Sequence, residues 1–445
     1  MISASLPSAL SLRLRTNLRW IIVGLIFLAT TINYIDRQAI SVAAPTIMED
    51  LNLSKQDYSW IVTSFLLAYA LMQVVTGLLI DRIGTKRGFS LAISWWSVAN
   101  MLHALGSGVW SLSIFRFLLG VGEAGNYPAA LKAIAEWFPK TERSTAVGIL
   151  NAGPGFGAII APPLVAWLVI TLGWRMAFVV TGAIGFVWLI AWHKIYDTPE
   201  FHRRLTQQEA ELILGEQFRN PAPRVKTPWH HFFRYKEVWG LMLSRFVCDG
   251  AFYFFAFWLP TYLHDVRGFS LQQIGLFAWI PFLAADAGSL FGGWAGTRLI
   301  RNGMTVNRSR KLMIWLGAAM VPVAMPAYFV SSPGMALLLI AVAMFAIQIK
   351  SASLFTIPAD LVESSNVATV WGLSGAAGSV GGMLFTPLIG WLVDHVSYEP
   401  VFVIVSIMHL VSALIVMLFI PRIEPLSPLR REFGEEQPWK DITIR

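Results

Sequence analysis

The chain reads as long apolar stretches separated by short polar ones. Twelve windows of roughly 20 residues can be marked, each long enough to cross about 30 Å of hydrocarbon as a helix. They run over 19–43, 58–80, 88–106, 109–137, 143–170, 175–195, 237–263, 272–297, 311–330, 334–359, 368–393 and 399–420. The stretch 196–236 breaks this rhythm. It carries Asp197, Glu200, Arg203, Arg204, Glu209, Glu211, Glu216, Arg219, Arg224 and Lys226, together with Pro221, Pro223 and Pro228. It divides six windows from six and reads as a linker, partly an amphipathic helix from about Thr206 to Arg219. The pattern predicts an all-α membrane protein with twelve transmembrane helices in two six-helix halves. The expected parts are an N-terminal bundle over 1–195, a linker over 196–236, a C-terminal bundle over 237–421 and a tail over 422–445.

Composition strengthens that reading. The chain is 56% hydrophobic and 13% charged, against roughly 25% charged residues in soluble domains. Its 19 Trp and 29 Phe suit interfacial belts and lipid-facing packing. Arg13, Arg15 and Arg19 precede a first apolar run too long for the ~7–15-residue core of a signal peptide, so that run is expected to remain as a span. The single cysteine, Cys248, excludes a disulfide framework or a cysteine metal site. The eight histidines lack metal-ligand spacing, so neither metal nor cofactor is expected. A Walker loop, a nucleophile elbow and a zinc-protease motif are all missing from the sequence, which argues against ATP-driven transport and against an enzyme.

The net charge of +8 raises the question of nucleic acid, but its distribution points to the lipid bilayer instead. Of the 34 Lys and Arg, only Lys55, Arg175 and Arg267 fall in loops on one side, while Arg37, Arg116, Lys132, Arg245 and Lys350 lie within windows. The rest cluster at the termini, in the linker and in loops after even-numbered windows. Positive residues stay inside, so both termini and the linker are expected in the cytoplasm. The expected location is a plasma membrane, with a bacterial inner membrane foremost, and a functional monomer is the expected state.

Six of the ionisable residues inside the apolar windows stand out: Asp36, Arg37, Arg116, Glu123, Asp249 and Lys350. A charge at the bilayer centre costs at least ~2.5–3.5 kcal/mol, so such groups face a bundle interior or a wet cavity. Carboxylates can carry protons, and the cations can hold an anion. Arg116 and Glu123 are seven residues apart and share one helix face, about 10.5 Å apart along the axis. A direct bond between them is not implied. Asp36 and Arg37 project about 100° apart, so one can face a cavity while the other faces a neighbouring helix. Guanidinium is permanently charged and forks a carboxylate, which makes Arg37 the preferred substrate anchor.

Gly77-Leu78-Leu79-Ile80-Asp81-Arg82-Ile83-Gly84-Thr85-Lys86-Arg87 falls between the second and third windows. It resembles the signature loop of the major facilitator superfamily, which makes Asp81, Arg82, Lys86 and Arg87 candidates for conformational ion pairs. Gly293-Trp294-Ala295-Gly296-Thr297-Arg298, ending in Arg308-Ser309-Arg310-Lys311, begins similarly after the eighth window. Equivalent loops in two halves suggest parallel repeats, with a substrate site between them near the midplane. Asn33-Tyr34-Ile35-Asp36-Arg37 and the fourth-window run from Arg116 through Gly120, Gly122, Glu123, Asn126, Tyr127 and Pro128 closely resemble the anion:cation symporter family. That resemblance implies Arg37 on the substrate's anionic group, and Asp36, Glu123 and Arg116 in proton coupling.

The second half adds Arg245-Phe246-Val247-Cys248-Asp249-Gly250-Ala251-Phe252-Tyr253, Phe257-Trp258-Leu259-Pro260 and Leu354-Phe355-Thr356-Ile357-Pro358-Ala359-Asp360, which look like the hexuronate-transporter branch. Tyr69, Asn151, Tyr253, Gln348 and Trp371 are candidate substrate-facing groups. Lys350 departs from the branch's pattern and is expected to supply a second anion anchor. The resemblance therefore implies a proton-coupled symporter importing a sugar-acid anion, most of all a hexuronate, by alternating access. Its alternatives are a symporter of another organic anion (aldonate, aldarate or aromatic acid) and a drug–proton antiporter, which would not need Arg37.

Overall fold

The computed structural model describes residues 18–139, 142–219, 228–362 and 364–426. The first half comprises α1 (Leu18–Leu51), α2 (Lys55–Ile83), α3 (Thr85–Leu102), α4 (Val109–Glu123), α5 (Asn126–Trp137), α6 (Arg143–Leu172) and α7 (Trp174–Ile195). The linker holds α8 (Gln207–Arg219). The second half comprises α9 (Lys236–Arg267), α10 (Leu271–Phe277), α11 (Ile280–Arg301), α12 (Val306–Met320), α13 (Pro333–Leu354), α14 (Ile357–Leu361), α15 (Ser364–His395) and α16 (Glu399–Phe419).

Twelve passes result because α4–α5, α10–α11 and α13–α14 are each one pass broken in two. Proline explains the breaks. It has no N–H to bond the carbonyl four residues back and its ring clashes with that carbonyl, but it is tolerated in the first turn of a helix. Pro128, Pro281 and Pro358 open α5, α11 and α14, and the residues four back are Ala124, Phe277 and Leu354, where the preceding helices stop. The ninth pass ends as a 3₁₀ turn over Val321–Ala327 that contains Pro322 and Pro326. The twelve windows therefore locate the passes, while their internal breaks follow the prolines.

The protein is a multi-pass membrane protein. Eight of its described helical stretches are long and apolar enough to cross a bilayer. Their outer faces expose large apolar side chains such as Trp167, Val187 and Leu290. In water such a surface is a liability; in hydrocarbon it is the solvated face. Between α9 and α15 the helices approach so closely that a Cβ at Gly381 would collide with the Phe246 carbonyl, the small-residue contact favoured where lipid gives no hydrophobic drive for association.

Gly84 sits at φ +86° in the turn joining α2 to α3, which explains the glycine of the signature loop, since L-residues resist that conformation. Lys86 pairs with Asp197 at 3.4 Å, and Arg82 and Arg87 are exposed. Asp81 falls on α2, but its side chain lies outside the described residues. The linker helix starts one residue after its expected Thr206, and its Glu209 meets Arg19 of α1 at 2.9 Å. Arg19 also holds Glu142 at 2.8 Å, so the linker is fastened to the first half.

Odd passes run away from the end that holds the linker, and even passes return to it. At the far end the halves are joined. The Asp394 carboxylate of α15 accepts from the backbone N–H groups of Lys55 and Gln56, at 3.1 and 2.7 Å. It thus caps the N-terminus of α2, a ready anion site. Lys55 pairs with Asp265 at 2.6 Å. Tyr398 donates to the same carboxylate at 3.0 Å; burial, then the Asp265 charge, push its hydroxyl well above the usual range, so it stays a donor. Deeper in, Ser41 donates to the carbonyls of Ala256 and Phe257, and Tyr58 donates to Phe257. Gly275 of α10 rests against Ala166 and Pro162 of α6.

Candidate functional site

Arg37 lies one turn of α1 short of the Ser41 seal, about 6 Å nearer the linker end. Its Nε donates to Glu123 Oε2 at 2.9 Å, and its Nη2 stands 2.9 Å from the same oxygen. Glu123 is the last residue of α4 and fully buried, so the broken fourth pass places its carboxylate. The other carboxylate oxygen, Oε1, has no partner among the described residues. Three rings surround the guanidinium: Tyr34 at 4.6 Å, Tyr69 at 4.7 Å and Phe65 at 5.1 Å from ring centroid to Cζ. Cation–π contact of this kind favours the cation by about 0.5–2 kcal/mol per ring as desolvation increases.

Arg116 makes no direct bond to Glu123 among the described residues. Its Nη2 donates to the Arg37 carbonyl at 3.1 Å, while Nε and Nη1 lack partners among the described residues. The carboxylate that shares its helix face instead crosses to α1. Arg116 therefore acts on the backbone that carries Arg37. Asp36 faces a different neighbour, as the 100° offset allows. Asn100 of α3 donates to its Oδ1 at 2.7 Å and lies 2.8 Å from Thr181 Oγ1 of α7. Its Oδ2 is buried without a partner among the described residues. The first half thus holds two separate buried carboxylates, one on an arginine and one on an amide.

The remaining candidates divide. Tyr69 stacks on Phe65 at 5.7 Å and joins the Arg37 cage. Asn151 is exposed on α6. It shares a helix face with Gly155, where an added Cβ would meet the Asp286 carboxylate of α11, so it looks towards the other half. Tyr253 stacks on Phe257 at 5.9 Å, and Phe257 meets Phe65 at 6.5 Å. Trp371 is not at Arg37; it lies 5.3 Å from Arg245 Cζ.

Lys350 departs most from expectation. Its Nζ is 2.5 Å from Ser412 Oγ and 3.4 Å from His409 Nδ1 on α16, with no exposure, and its backbone backs onto Gly317 of α12. It is enclosed within the second half, so it does not stand at the cleft as an anion anchor. Gln348, two residues earlier on α13 and half-buried, points about 200° away from it around the helix. The groups that spacing alone missed are Tyr34, Phe65, Asn100 and Thr181. Asn100 carried a signal, being a polar amide deep in an otherwise apolar window.

The sequence profile of the Major Facilitator Superfamily matches residues 26–355 and 302–444. The chain belongs to the major facilitator superfamily. Members of this superfamily are transporters and not enzymes. Over 403 residues the chain is 36% identical to the hexuronate transporter of Escherichia coli strain K12, covering 90% of this chain and 93% of that one. It is 38% identical over 309 residues to the galacturonate transporter of Dickeya chrysanthemi, covering 68% and 89%. The solved D-xylose-proton symporter superposes with a TM-score of 0.73 at 18% identity, covering 92% of this chain and 99% of that one. That likeness carries the major facilitator fold alone.

Proposed function

We propose that this major facilitator protein is a proton-coupled symporter that imports a sugar-acid anion, a hexuronate first among them. One observation carries the reading: a buried guanidinium in an aromatic cage, just inside the seal between halves, whose acid partner among the described residues is one oxygen of Glu123. An incoming carboxylate competes with Glu123 for Arg37. When it wins, Glu123 is left as a buried carboxylate without counter-charge, and protonation removes that charge. Anion and proton thus load together, and one proton with one monoanion leaves the cavity's net charge unchanged. The aromatic rings supply faces for the apolar side of a pyranose. The names of the relatives at 36% and 38% identity support a hexuronate. The termini and linker are cytoplasmic in this reading, and the joined far end makes this the inward-facing state.

The test is uptake by purified protein in proteoliposomes, with labelled galacturonate, glucuronate, galactonate and galactarate. Accumulation of a hexuronate, stimulated by an inward proton gradient, is expected. Movement of no organic anion by folded protein would sink the reading.

The seal makes a further prediction. Asp394→Ala removes the cap that α15 places on α2. Losing such a cap costs about 0.5–2 kcal/mol, so the far-side-open population should rise about 2- to 30-fold. Spin-label distances across the far end should lengthen, while those across the linker end shorten. Unchanged distributions would show that Asp394 does not hold the halves together.

A further inference from the structure

The second half holds an arginine site built like that of the first. Arg245 of α9 pairs with Asp249 one turn on: its Nε and Nη2 meet the same oxygen, Oδ2, at 3.0 and 2.9 Å. Its Cζ lies 4.6 Å from the Phe355 ring and 5.3 Å from the Trp371 ring. Phe355 caps α13 at the break of the tenth pass, as Glu123 ends α4 at the break of the fourth. In both halves, a first-pass arginine gives two nitrogens to one carboxylate oxygen, leans on aromatic rings and sits beside a broken fourth pass.

Arg245 has something left to bind with. Its Nη1 is buried without an acceptor among the described residues, a state that costs about 1–3 kcal/mol. Asp249 Oδ2 is engaged on the opposite edge of the guanidinium. Gly375 of α15 faces the free nitrogen, where an added Cβ would come within 3.2 Å of Nη1. The glycine therefore leaves space that any side chain would fill. Trp371, 41% exposed, lies over the guanidinium, and Phe355 is 37% exposed beside it.

The position ties this site to Arg37. Arg245, Asp249, Tyr253 and Phe257 recur every fourth residue and form one stripe along a face of α9 that drifts by about 40° per step. The face ends at Phe257, which meets Phe65 in the Arg37 cage. Arg245 lies about 18 Å from Phe257 along the axis, on the linker side. A side chain between them, Tyr253, stacks on Phe257 and packs on Gly382.

We propose that Arg245, with Trp371 as its movable cover, is a second carboxylate-binding subsite between the Arg37 site and the linker-side opening. Turning of the Trp371 ring uncovers Nη1, and a carboxylate then takes the donor that Asp249 does not use. The anion leaving Arg37 passes from one caged guanidinium to another. The subsite rests on the symporter reading only for the identity of its anion.

The test labels purified full-length protein with phenylglyoxal and follows modification of Arg245 by mass spectrometry, with and without galacturonate. Galacturonate at twice its dissociation constant for the Arg245 subsite should slow the modification about threefold, in wild type and equally in Arg37→Gln and Arg37→Lys. Trp371→Ala should speed modification of Arg245 without galacturonate. Absence of protection in wild type would overturn the subsite. So would protection that disappears in a folded Arg37 variant, because it would then report a conformational effect of the first site. Uptake by the same preparation separates the two readings. Protection without transport would sink the symporter and keep the subsite, and transport without protection would do the reverse.

Discussion

Arg37→Ala should abolish sugar-acid binding at the Arg37 site while leaving the Arg245 subsite, membrane insertion and the size-exclusion profile intact. Among the described residues, the Arg37 Cζ alone lies over all three of Tyr34, Tyr69 and Phe65, whereas Arg116 lies over Phe65 only. Truncating one partner of a desolvated, hydrogen-bonded charge pair costs about 2–5 kcal/mol, so the dissociation constant should rise by about 30- to 4,000-fold. Arg37→Lys keeps the charge but not the planar fork and should fall between. Folding survives in Arg37→Ala because the Glu123 carboxylate can take a proton, which avoids an unpaired buried charge. Titration calorimetry on detergent-solubilised protein reads the outcome. Undiminished affinity in either variant would remove Arg37 from the binding site.

The architecture was largely legible because lipid imposes strict terms on a sequence. A pass needs a long apolar run and satisfied backbone groups, so twelve windows and a charged linker announce themselves. The prolines even mark where passes break. What helix spacing could not show is which neighbouring helix a side chain meets. Arg116 and Glu123 share a face of α4, yet Glu123 reaches across to Arg37 and Arg116 to a backbone carbonyl. Lys350 sits mid-window like an anchor, but the polar groups that enclose it come from α16, some sixty residues later. Arg245 lies nine residues into α9, where an arginine passes for an interfacial residue. Its environment depends on α13 and α15, which sequence periodicity in α9 cannot reveal.

Glu123→Gln is the sharper probe of coupling. The amide keeps the shape of the side chain, and its oxygen can still accept from Arg37, but it carries no titratable proton. Accumulation driven by an inward proton gradient should fall to the equilibrium level, a loss of at least about tenfold where the gradient supplies 1.4 kcal/mol per pH unit. Exchange of labelled for unlabelled substrate needs no net proton movement. It should stay within about threefold of wild type, and affinity should hold or improve, because Glu123 no longer competes as a charge for Arg37. Asp36 provides the contrast: Asn100 and Thr181 surround it and Arg37 does not. Asp36→Asn should therefore leave the competition at Arg37 in place, so that any loss of accumulation there arises by a route other than displacement from the guanidinium. Counterflow and gradient-driven uptake measured on one preparation of each variant decide the matter. Equal loss of both activities in folded Glu123→Gln protein would assign Glu123 to binding or structure, and the exchange of proton for anion at Arg37 would have to be abandoned.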